Sequence, residues 1–320
     1  MRTPAHWQRR GLLSTLLVPF AALYGFAARY DRLHTPAQQA ALPVISIGNA
    51  TAGGAGKTPT AIALIGILRA LGQTPHLITR GYGSKGDGTR CATLDADWRS
   101  VGDEALLLAN AAPTWVGRDR LASAITAQHA GATVIVADDA LQHHRLTRDI
   151  SFLVVDGAYG FGNGRLIPAG PLREPLDDAL ARTDAVILIG ENRHNLVFDK
   201  PIFRATLEPV GDTAWLQGQR VLAFAGLARP QKFYSTLEAL GATLAGRFDF
   251  PDHHPFTERE LEALCYGAEK ASAIPIATAK DAVKFPPAYR ERIRVLEVAL
   301  RFHDEPALQN WLQSALTRPI

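Results

Sequence analysis

Apolar residues recur along the chain in short runs, separated by stretches with helical periodicity. The short runs lie at 43–48, 74–79, 113–116, 133–137, 150–155 and 184–189, and each has the length and content of a buried strand. The helical stretches lie at 58–71, 101–111 and 119–130. Strands that alternate with helices are typical of a doubly wound parallel sheet with both faces covered. The pattern therefore predicts an α/β fold whose binding site is built by the loops that follow the strands.

A polar stretch at 191–195 interrupts this rhythm, and we place a domain junction there. A second series of elements follows, with strands at 203–210, 220–225, 242–248 and 274–278 and helices at 230–240, 257–270 and 306–316. The 320 residues are enough for two domains of ordinary size. We predict an apolar N-terminal helix over 1–32, a first α/β domain over 33–195, and a smaller α/β domain over 196–320 that closes over the substrate.

The strand at 43–48 runs into a glycine-rich turn and a helix start. The turn, Thr51-Ala52-Gly53-Gly54-Ala55-Gly56-Lys57-Thr58, follows the pattern G-x-x-x-x-G-K-[ST], except that a threonine stands at the first glycine position. The glycines let backbone N–H groups approach an anion, and the helix dipole points its positive end at that anion. Lys57 would offset phosphate charge and the Thr58 hydroxyl would bind Mg²⁺. We predict a P-loop for ATP, because an ordinary turn does not explain these two residues.

The apolar strand at 133–137 ends in two acids, Asp138 and Asp139. A P-loop enzyme places at this point the carboxylate that holds Mg²⁺ or its water. Acid pairs after strands are common, so the assignment depends on the P-loop upstream. His143 and His144 follow, but adjacent side chains on one segment diverge in direction. We therefore predict a structural role for these histidines rather than a metal site.

Other polar motifs of the first domain leave a functional and a structural interpretation open. Asp103 begins a predicted helix, where it either acts as a base at the phosphate site or only stabilises the helix dipole. Arg80 could neutralise phosphate, and Tyr82 could stack on a ring. Arg173 lies in a rigid turn next to Glu174 and could stabilise transferring phosphoryl charge. A plain surface position is the alternative for both arginines.

The predicted smaller domain carries an Asp-His-His cluster at 252–254, between two prolines. Thr257 and Glu260 form a capping-box pattern, which predicts a helix start but does not explain the histidines. Lys280 and Asp281 follow a strand and match the guanine-reading motif N-K-x-D only loosely. We therefore predict no GTPase motif here.

Composition narrows the choice of partners. The net charge of +3, from 34 basic and 31 acidic residues, is too small to predict binding of nucleic acid. The only two cysteines, Cys91 and Cys265, predict neither a disulfide framework nor a cysteine-rich metal site. A reducing cytosolic compartment fits this cysteine content, and an ATP site requires it.

An uncharged apolar run at 11–28 lies between Arg10 and Arg29. A membrane-spanning helix needs ~20 apolar residues, so this run is marginal, and Pro19 interrupts it. A signal peptide would export an ATP-dependent protein away from its ATP, so we reject it. A helix that lies in the membrane interface, with basic flanks, fits best. The alternative is an N-terminal helix packed into the core.

Together these motifs resemble one family, the tetraacyldisaccharide 4′-kinases, over most of the chain. In order, the motifs are Gly48-Asn49-x-Thr51-x-Gly53-Gly54-x-Gly56-Lys57-Thr58-Pro59, Arg80-Gly81-Tyr82-Gly83, Val101-Gly102-Asp103-Glu104, Asp138-Asp139-x-x-Gln142-His143, Gly170-Pro171-Leu172-Arg173-Glu174, Phe250-x-Asp252-His253 and Thr278-x-Lys280-Asp281. Thr51 at the first glycine position is the family's own form. Ala140 and Ala279 depart from the family pattern, where a glycine and an acid are expected.

The resemblance implies transfer of the ATP γ-phosphate to the 4′-hydroxyl of an acylated glucosamine disaccharide 1-phosphate, which forms lipid IVA in lipid A biosynthesis. It implies a P-loop NTPase-like fold, a requirement for Mg²⁺, and action at the cytoplasmic face of the bacterial inner membrane. We infer no obligate protein partner.

The resemblance also implies roles for individual residues. The implied catalytic residues are Asp103, His253, Lys57 and Arg173, with Asp103 and His253 forming a dyad between the two domains. The implied ATP contacts are Thr51, Ala52, Gly53, Gly54, Ala55, Gly56, Lys57 and Thr58. Thr58, Asp138, Asp139 and Glu174 are implied at the metal, and Arg80, Tyr82 and Gln142 at the acceptor or phosphate.

Two other functions stay open on the residues alone. One is a P-loop phosphotransferase with a small soluble acceptor. The other is a nucleotide-switch ATPase that acts on a partner. The chain has no L-S-G-G-Q-like signature and no N-K-x-D, which counts against two large groups of such switches.

Overall fold

The computed structural model describes residues 4–81 and 88–317, and the chain forms two compact units. The larger unit comprises Pro4–Leu207 and the segment that begins at Leu300, and the smaller unit comprises Glu208–Ala299. The predicted boundary after residue 195 is therefore wrong, as is the assignment of the whole C-terminal part to the smaller domain. The apolar segment over 1–32 also belongs, in its described part, to the larger unit.

The described part of the chain contains strands and helices that we number in chain order. The strands are β1 (Val44–Gly48), β2 (Pro75–Thr79), β3 (Arg90–Ala92), β4 (Thr114–Val116), β5 (Val134–Ala137), β6 (Ile150–Asp156), β7 (Ala185–Ile189), β8 (Ile202–Pro209), β9 (Arg220–Ala225), β10 (Thr243–Asp249), β11 (Ile274–Thr278), β12 (Arg294–Leu296) and β13 (Val298–Phe302). The helices are α1 (Leu12–Leu16), α2 (Val18–His34), α3 (Lys57–Ala70), α4 (Trp98–Val101), α5 (Asp103–Ala109), α6 (Arg120–His129), α7 (Leu176–Ala181), α8 (Gln231–Ala239), α9 (Glu258–Lys270), α10 (Ala279–Ala282), α11 (Pro287–Arg290) and α12 (Glu305–Leu316).

The larger unit is built on a nine-stranded sheet in the order β13-β8-β7-β6-β1-β5-β2-β4-β3. Neighbouring strands from β8 to β4 pair in parallel, and the edge strand β3 pairs antiparallel with β4. All six strands predicted for the first domain are present. The antiparallel β3 was not predicted, because three residues of mixed polarity carry no periodic signal.

Both faces of this sheet are covered by helices. Ile45 and Ile47 of β1 pack in a core with α3 and α12, whereas Val44 packs on the opposite face with residues of α6. Side chains alternate between the faces of a strand, so each central strand contributes to two cores. The predicted doubly wound α/β architecture is confirmed.

The last helix, α12, packs on the larger sheet through its apolar face. The Trp311 ring lies 5.4 Å from that of Phe152 and 5.6 Å from that of Phe203, measured between centroids. Leu308 and Leu312 are fully buried in the same core. This burial explains why the chain returns to the larger unit at its end.

The order of the strands directs the loops to one place. Strand β1 pairs with β5 on one side and with β6 on the other, so the chain crosses β1 between these two strands. Loops after parallel strands diverge at such a switch point and leave a crevice for a ligand. The loop after β1 and the acid pair after β5 therefore lie at the same edge of the sheet.

The smaller unit has a four-stranded parallel sheet in the order β10-β9-β11-β12. One face packs against α9 through residues such as Phe224 and Leu264, and the other packs against α8 through Val221 and Leu237. The prediction of a second α/β unit is confirmed, with its boundaries shifted to 208–299.

The N-terminal segment is attached to the larger unit by polar contacts, while most of its apolar side chains are exposed. In α1 and α2, only Ser14 and Ala21 are buried, and the side chain of Phe26 is 69% exposed. The Ser14 hydroxyl donates to the carbonyl of Ala169 at 2.8 Å. The interpretation as a core-packed helix is therefore wrong. Within residues 4–81 and 88–317, no helix has the length and apolar content needed to span a membrane.

Candidate functional site

The glycine-rich loop joins β1 to α3, which begins at Lys57. Gly53 and Gly56 have φ angles of 106° and 93°, in the left-handed region that favours glycine. The Asn49 amide donates to the carbonyls of Thr51 at 2.6 Å and Gly53 at 3.3 Å, which holds the loop from inside. Nζ of Lys57 donates to Asn49 Oδ1 at 3.1 Å, so the ammonium is held beside the loop.

The segment that carries the acid pair packs tightly against the start of this loop. A Cβ atom added to Gly48 would lie 2.4 Å from Cβ and 2.8 Å from the backbone nitrogen of Leu141. The backbone N–H of Ala140 donates to the carbonyl of Ile47 at 3.0 Å. Glycine at position 48 is therefore required by a close approach between two parts of the site.

Gly48→Ala is expected to lower the free energy of unfolding of the larger unit by about 1–3 kcal/mol, the usual cost of overpacking against backbone. Gly54→Ala is the matched control, because nothing lies within 4 Å of the added methyl group and no positive φ is required there. Thermal and urea unfolding followed by circular dichroism would measure the difference. Equal stability of the two variants would contradict the conclusion that glycine is required at position 48.

The two acids after β5 differ in their ionisation. Burial and the nearby charge of Glu104 raise the pKa of Asp138 to about 7. Burial alone would also raise the pKa of Asp139, but the charges of Lys57 and Arg173 lower it to about 2. Asp139 therefore remains an anion, while the Asp138 carboxyl lacks full compensation for its buried charge. Asp139 also has a φ angle of 46°, unusual for a residue other than glycine.

Arg120 is a site residue that we did not predict. Its guanidinium is buried at the start of α6 and donates to the carbonyls of Asp138 at 3.0 Å and Asp139 at 2.8 Å. These bonds hold the backbone of the acid pair in place. The sequence held a signal for this residue. The helix dipole disfavours a cation in the first turn of a helix, so an arginine at that position indicates a role other than helix stabilisation.

The rigid turn before α7 approaches the glycine-rich loop through backbone pairing. The N–H of Ala52 donates to the carbonyl of Pro171 at 2.8 Å, and the N–H of Arg173 donates to that of Ala50 at 2.8 Å. This pairing places the Arg173 guanidinium 2.8 Å from Asp139 Oδ1. The predicted position of Arg173 beside the phosphate loop is thus consistent with the structure, whereas its catalytic role remains a prediction.

Gln142 connects this turn to the acid pair. Its amide nitrogen donates to Glu174 Oε1 at 3.0 Å, and its amide oxygen accepts from Arg173 at 3.3 Å. Glu174 is buried, and its other oxygen, Oε2, pairs with Arg182. The described contacts of Glu174 are those of a charge partner for arginine, and the metal-ligand role remains a prediction.

Asp103 is buried at the first position of α5, and its Oδ1 accepts the N–H of Glu104 at 2.9 Å. The charge of Glu104 acts on the Asp138 carboxyl, so the start of α5 lies near the acid pair. Arg80 is exposed at the end of β2. The predicted contact residue Tyr82 lies outside the described residues.

The two histidines after the acid pair have lowered pKa values. Burial, followed by the charge of Arg120, lowers the pKa of His143 to about 4, and burial, followed by the charge of Arg182, lowers that of His144 to about 4. Both rings are neutral at physiological pH.

The Asp-His-His cluster belongs to the smaller unit, after β10. Nζ of Lys280 lies 3.2 Å from Asp252 Oδ1 and 3.3 Å from His253 Nε2. His254 instead lies 3.1 Å from Glu260 and stacks on the Phe250 ring. The two neighbouring histidines therefore have different surroundings. The predicted capping box of Thr257 and Glu260 is confirmed.

The site residues of the larger unit fit ATP and Mg²⁺. Gly53 and Gly56 have positive φ angles and no side chain, so the backbone next to the Lys57 ammonium is accessible. Such a position suits an anion such as a phosphate. The buried Asp138 carboxyl, with its raised pKa, suits a bound cation, because a cation stabilises the ionised form. Mg²⁺ usually takes one or two carboxylates and completes its shell with phosphate oxygens and water.

Comparison with known proteins identifies the family. The model of the family described as tetraacyldisaccharide-1-P 4′-kinase matches residues 13–317. The chain is 48% identical over 314 residues to the tetraacyldisaccharide 4′-kinase of Paramagnetospirillum magneticum, and the match covers 96% of each chain. It is 44% identical over 315 residues to the tetraacyldisaccharide 4′-kinase of Rhodospirillum rubrum, and that match covers 96% of this chain and 95% of the relative. A crystal structure of LpxK from Aquifex aeolicus in complex with ATP matches with a TM-score of 0.78 and 27% identity, over 95% of this chain and 100% of that chain. This chain belongs to the tetraacyldisaccharide 4′-kinase family.

Proposed function

We propose that this protein transfers the γ-phosphate of ATP to the 4′-hydroxyl of tetraacyldisaccharide 1-phosphate, forming lipid IVA in lipid A biosynthesis. The observation that supports the proposal most is that Lys57 and Arg173 both lie close to the carboxylate of Asp139. Asp139 Oδ1 lies 3.6 Å from Nζ of Lys57, which begins the helix after the glycine-rich loop, and 2.8 Å from Nη1 of Arg173. Two cations at an acidic strand end, beside a glycine-rich loop, suit a phosphoryl-transfer site.

Each group of the site has a part in this reaction. The P-loop over 51–58 binds the phosphates of ATP, and Lys57 and Arg173 compensate the charge of the transferred group. Thr58, Asp138 and Asp139 would hold Mg²⁺, which neutralises charge on the β- and γ-phosphates when it is bound. Arg120 holds the backbone of the acid pair in place through its hydrogen bonds to the two carbonyls.

The acceptor hydroxyl needs a base, and Asp103 is our candidate. It is a buried carboxylate at the phosphate end of the larger unit. A positioned carboxylate can accept the proton as the phosphoryl group is transferred. The family resemblance adds His253 of the smaller unit as a second catalytic residue.

A cavity of about 110 Å³ next to the phosphate site could hold the part of the acceptor headgroup that bears the 4′-hydroxyl. It is lined by residues of α2, including Tyr24, Arg29 and Arg32, and by Arg173 and Glu174. Arginines recognise phosphate and sugar oxygens well, because their fork of N–H groups donates to several at once. The acyl chains would then extend along the apolar surface of α1 and α2.

That apolar surface also supports binding of the protein to the cytoplasmic face of the bacterial inner membrane. Leu12, Leu16, Phe20, Leu23 and Phe26 are all exposed. Basic residues flank the segment at both ends. Apolar side chains beside basic residues are typical of helices that lie in the interface of anionic bilayers.

Incubation with labelled ATP, Mg²⁺ and the disaccharide acceptor tests the reaction. A labelled acceptor lipid that carries the new phosphate at the 4′-position is the expected product. Release of inorganic phosphate without a labelled lipid would instead support a nucleotide-switch ATPase. A labelled soluble sugar would support a phosphotransferase with another acceptor.

The triple variant Leu16→Ser/Phe20→Ser/Leu23→Ser is expected to weaken binding to anionic vesicles at least about tenfold and to raise KM for the lipid, with ATP affinity unchanged. A large apolar side chain gains about 1.5–3 kcal/mol on full burial, so three partly inserted ones account for such a change. Sedimentation with vesicles measures the binding. Point variants are preferable to deletion of residues 1–30, because the deletion also removes the Ser14 bond to the loop at Ala169.

Ile125→Ser is the matched control, since Ile125 of α6 is also an exposed apolar residue of the larger unit but lies away from the N-terminal segment in sequence. Its binding to vesicles should equal that of the wild type. Unchanged sedimentation of the triple variant would refute the proposed membrane surface.

A further inference from the structure

The carboxyl ends of the parallel strands β9, β10 and β11 bring three loops of the smaller unit together. Gly226 follows β9, the Asp-His-His cluster follows β10, and α10 follows β11. A Cβ added to Gly226 would lie 2.8 Å from Oδ1 of Asp281 and 3.2 Å from the carbonyl of Pro251. The sequence motif of Lys280 and Asp281 is thus adjacent to the histidine cluster.

Asp281 anchors α10 inside the unit. Its side chain is fully buried, and Oδ2 accepts from the Thr278 hydroxyl at 2.7 Å and from the N–H of Gly226 at 3.0 Å. Oδ1 pairs with Nζ of Lys284 at 2.9 Å, and that side chain is buried as well. A carboxylate with this many partners holds the short helix in one position. The preceding residue, Lys280, is positioned by the same anchor.

Lys280 extends toward the cluster and bridges two of its residues. Nζ lies 3.2 Å from Asp252 Oδ1 and 3.3 Å from His253 Nε2. All three side chains are about one-fifth to one-quarter exposed. His253 has a φ angle of 60°, so its backbone is in the left-handed region that residues other than glycine rarely adopt. Such a conformation persists only where the surroundings hold it, and it is frequent at functional sites.

The chemistry of these groups determines the direction of the hydrogen bond. An ammonium group has donors and no acceptor, so a ring nitrogen bonded to it must be the acceptor. The other carboxylate oxygen of Asp252 is 3.8 Å from His253 Nε2, which is beyond hydrogen-bond distance. A neutral ring whose Nε2 accepts from Lys280 carries its proton on Nδ1.

We propose that Lys280 is a positioning residue, which holds the His253 ring through Nε2 and so fixes its proton on Nδ1. This inference rests on the proposed function for its consequence in catalysis. The Nδ1–H group is a donor, and a donor is what is needed to orient a carboxylate that acts as a base. Lys280 would therefore give His253 the tautomer that suits a carboxylate partner.

Nitrogen NMR of the full-length protein in detergent, with ¹⁵N-labelled histidine rings, tests the tautomer directly. The His253 signals are assigned by their loss in His253→Gln, and spectra are recorded at about pH 8, where an ordinary imidazole is neutral. We expect the Nδ1–H form in the wild type and in Lys280→Arg, which keeps a donor. We expect a shift toward the Nε2–H form in Lys280→Met, which keeps the length and removes the donor.

Kinetics provide the second readout. Lys280→Met should lower kcat about tenfold, less than loss of a catalytic base itself, with KM for ATP unchanged and substantial recovery in Lys280→Arg. In a His253→Ala background, Lys280→Met should cause no further loss. Lys270→Met is the matched control, because Lys270 is on α9 and its ammonium lies over the Tyr266 ring.

The two readouts separate this inference from the proposed function. An Nδ1–H tautomer that persists in Lys280→Met, or an Nε2–H tautomer in the wild type, would overturn the role of Lys280 whatever the activity of the variants. Full activity of His253→Ala would overturn the proposed dyad, while a tautomer change in Lys280→Met would still establish that Lys280 positions the ring.

Discussion

Lys57→Ala is expected to lower kcat by about 10²–10³-fold at saturating ATP and Mg²⁺, because it removes a preorganised charge next to the transferred phosphoryl group. The ammonium lies 3.1 Å from Asn49 Oδ1 and 3.6 Å from Asp139 Oδ1, and the side chain is only 11% exposed. A charge that is already oriented needs no reorganisation when the transition state forms. The loss should therefore appear in kcat and not only in KM for ATP.

Lys57→Met separates charge from packing, since it keeps the length of the side chain, and it should be about as impaired as Lys57→Ala. Lys270→Ala, at a lysine of the smaller unit, should behave as the wild type. Initial rates of 4′-phosphorylated lipid formation from labelled ATP are the measurement, with thermal unfolding to verify folding. Near-normal kcat in Lys57→Ala would show that the glycine-rich loop does not serve phosphoryl transfer.

Asp103→Ala and His253→Ala are each expected to lower kcat by about 10²–10⁴-fold, the usual contribution of a positioned general base, with a much smaller effect on ATP affinity. Asp103 is buried at the start of α5, where its carboxylate has little conformational freedom. His253 is held in a left-handed backbone conformation beside Lys280. Both residues are thus constrained by their own surroundings.

The double variant distinguishes a dyad from two independent contributions. Residues that act as one unit are strongly non-additive, so the double variant should be little worse than either single variant. Steady-state kinetics over a range of lipid and ATP concentrations give the four kcat values of the cycle. A double variant whose loss equals the product of the two single losses would argue against the dyad.

His254→Gln is the matched control for His253. The His254 ring lies 3.1 Å from Glu260 and stacks on Phe250 with the centroids 4.8 Å apart, so its contacts are within the smaller unit. The variant should lose some thermal stability and keep most of kcat. A larger fall in kcat for His254→Gln than for His253→Ala would show that His254, and not His253, has the proposed role.

Much of the fold follows from local patterns. The strands of the first domain were predictable because each is a short apolar run next to a glycine, a proline or an acid. The cap of α9 was predictable because the capping box is a local interaction between Thr257 and Glu260. The polar loops at strand ends were predictable as a site, because parallel strands bring their carboxyl ends to one edge.

Other features depend on which surfaces meet, and no local pattern carries that information. The partner of β8 in the larger sheet was not predictable, since the residues of β8 alone do not specify a neighbouring strand. The return of the chain after Leu300 depends on the packing of Trp311 against Phe152, residues far apart in sequence. The predicted boundary at 195 failed for this reason.

The architecture, the glycine-rich loop, the acid pair and the family could be inferred from the sequence, because each is a local pattern of residue types or an ordered set of motifs. How these parts support one another became clear from the folded structure. It shows that Arg120 holds the acid pair by its backbone, that Glu174 pairs with Arg182, and that most side chains of α1 and α2 are exposed. The reason is physical: hydrogen bonds, ion pairs and burial join residues that are distant in the chain, and each depends on distances that exist only after folding.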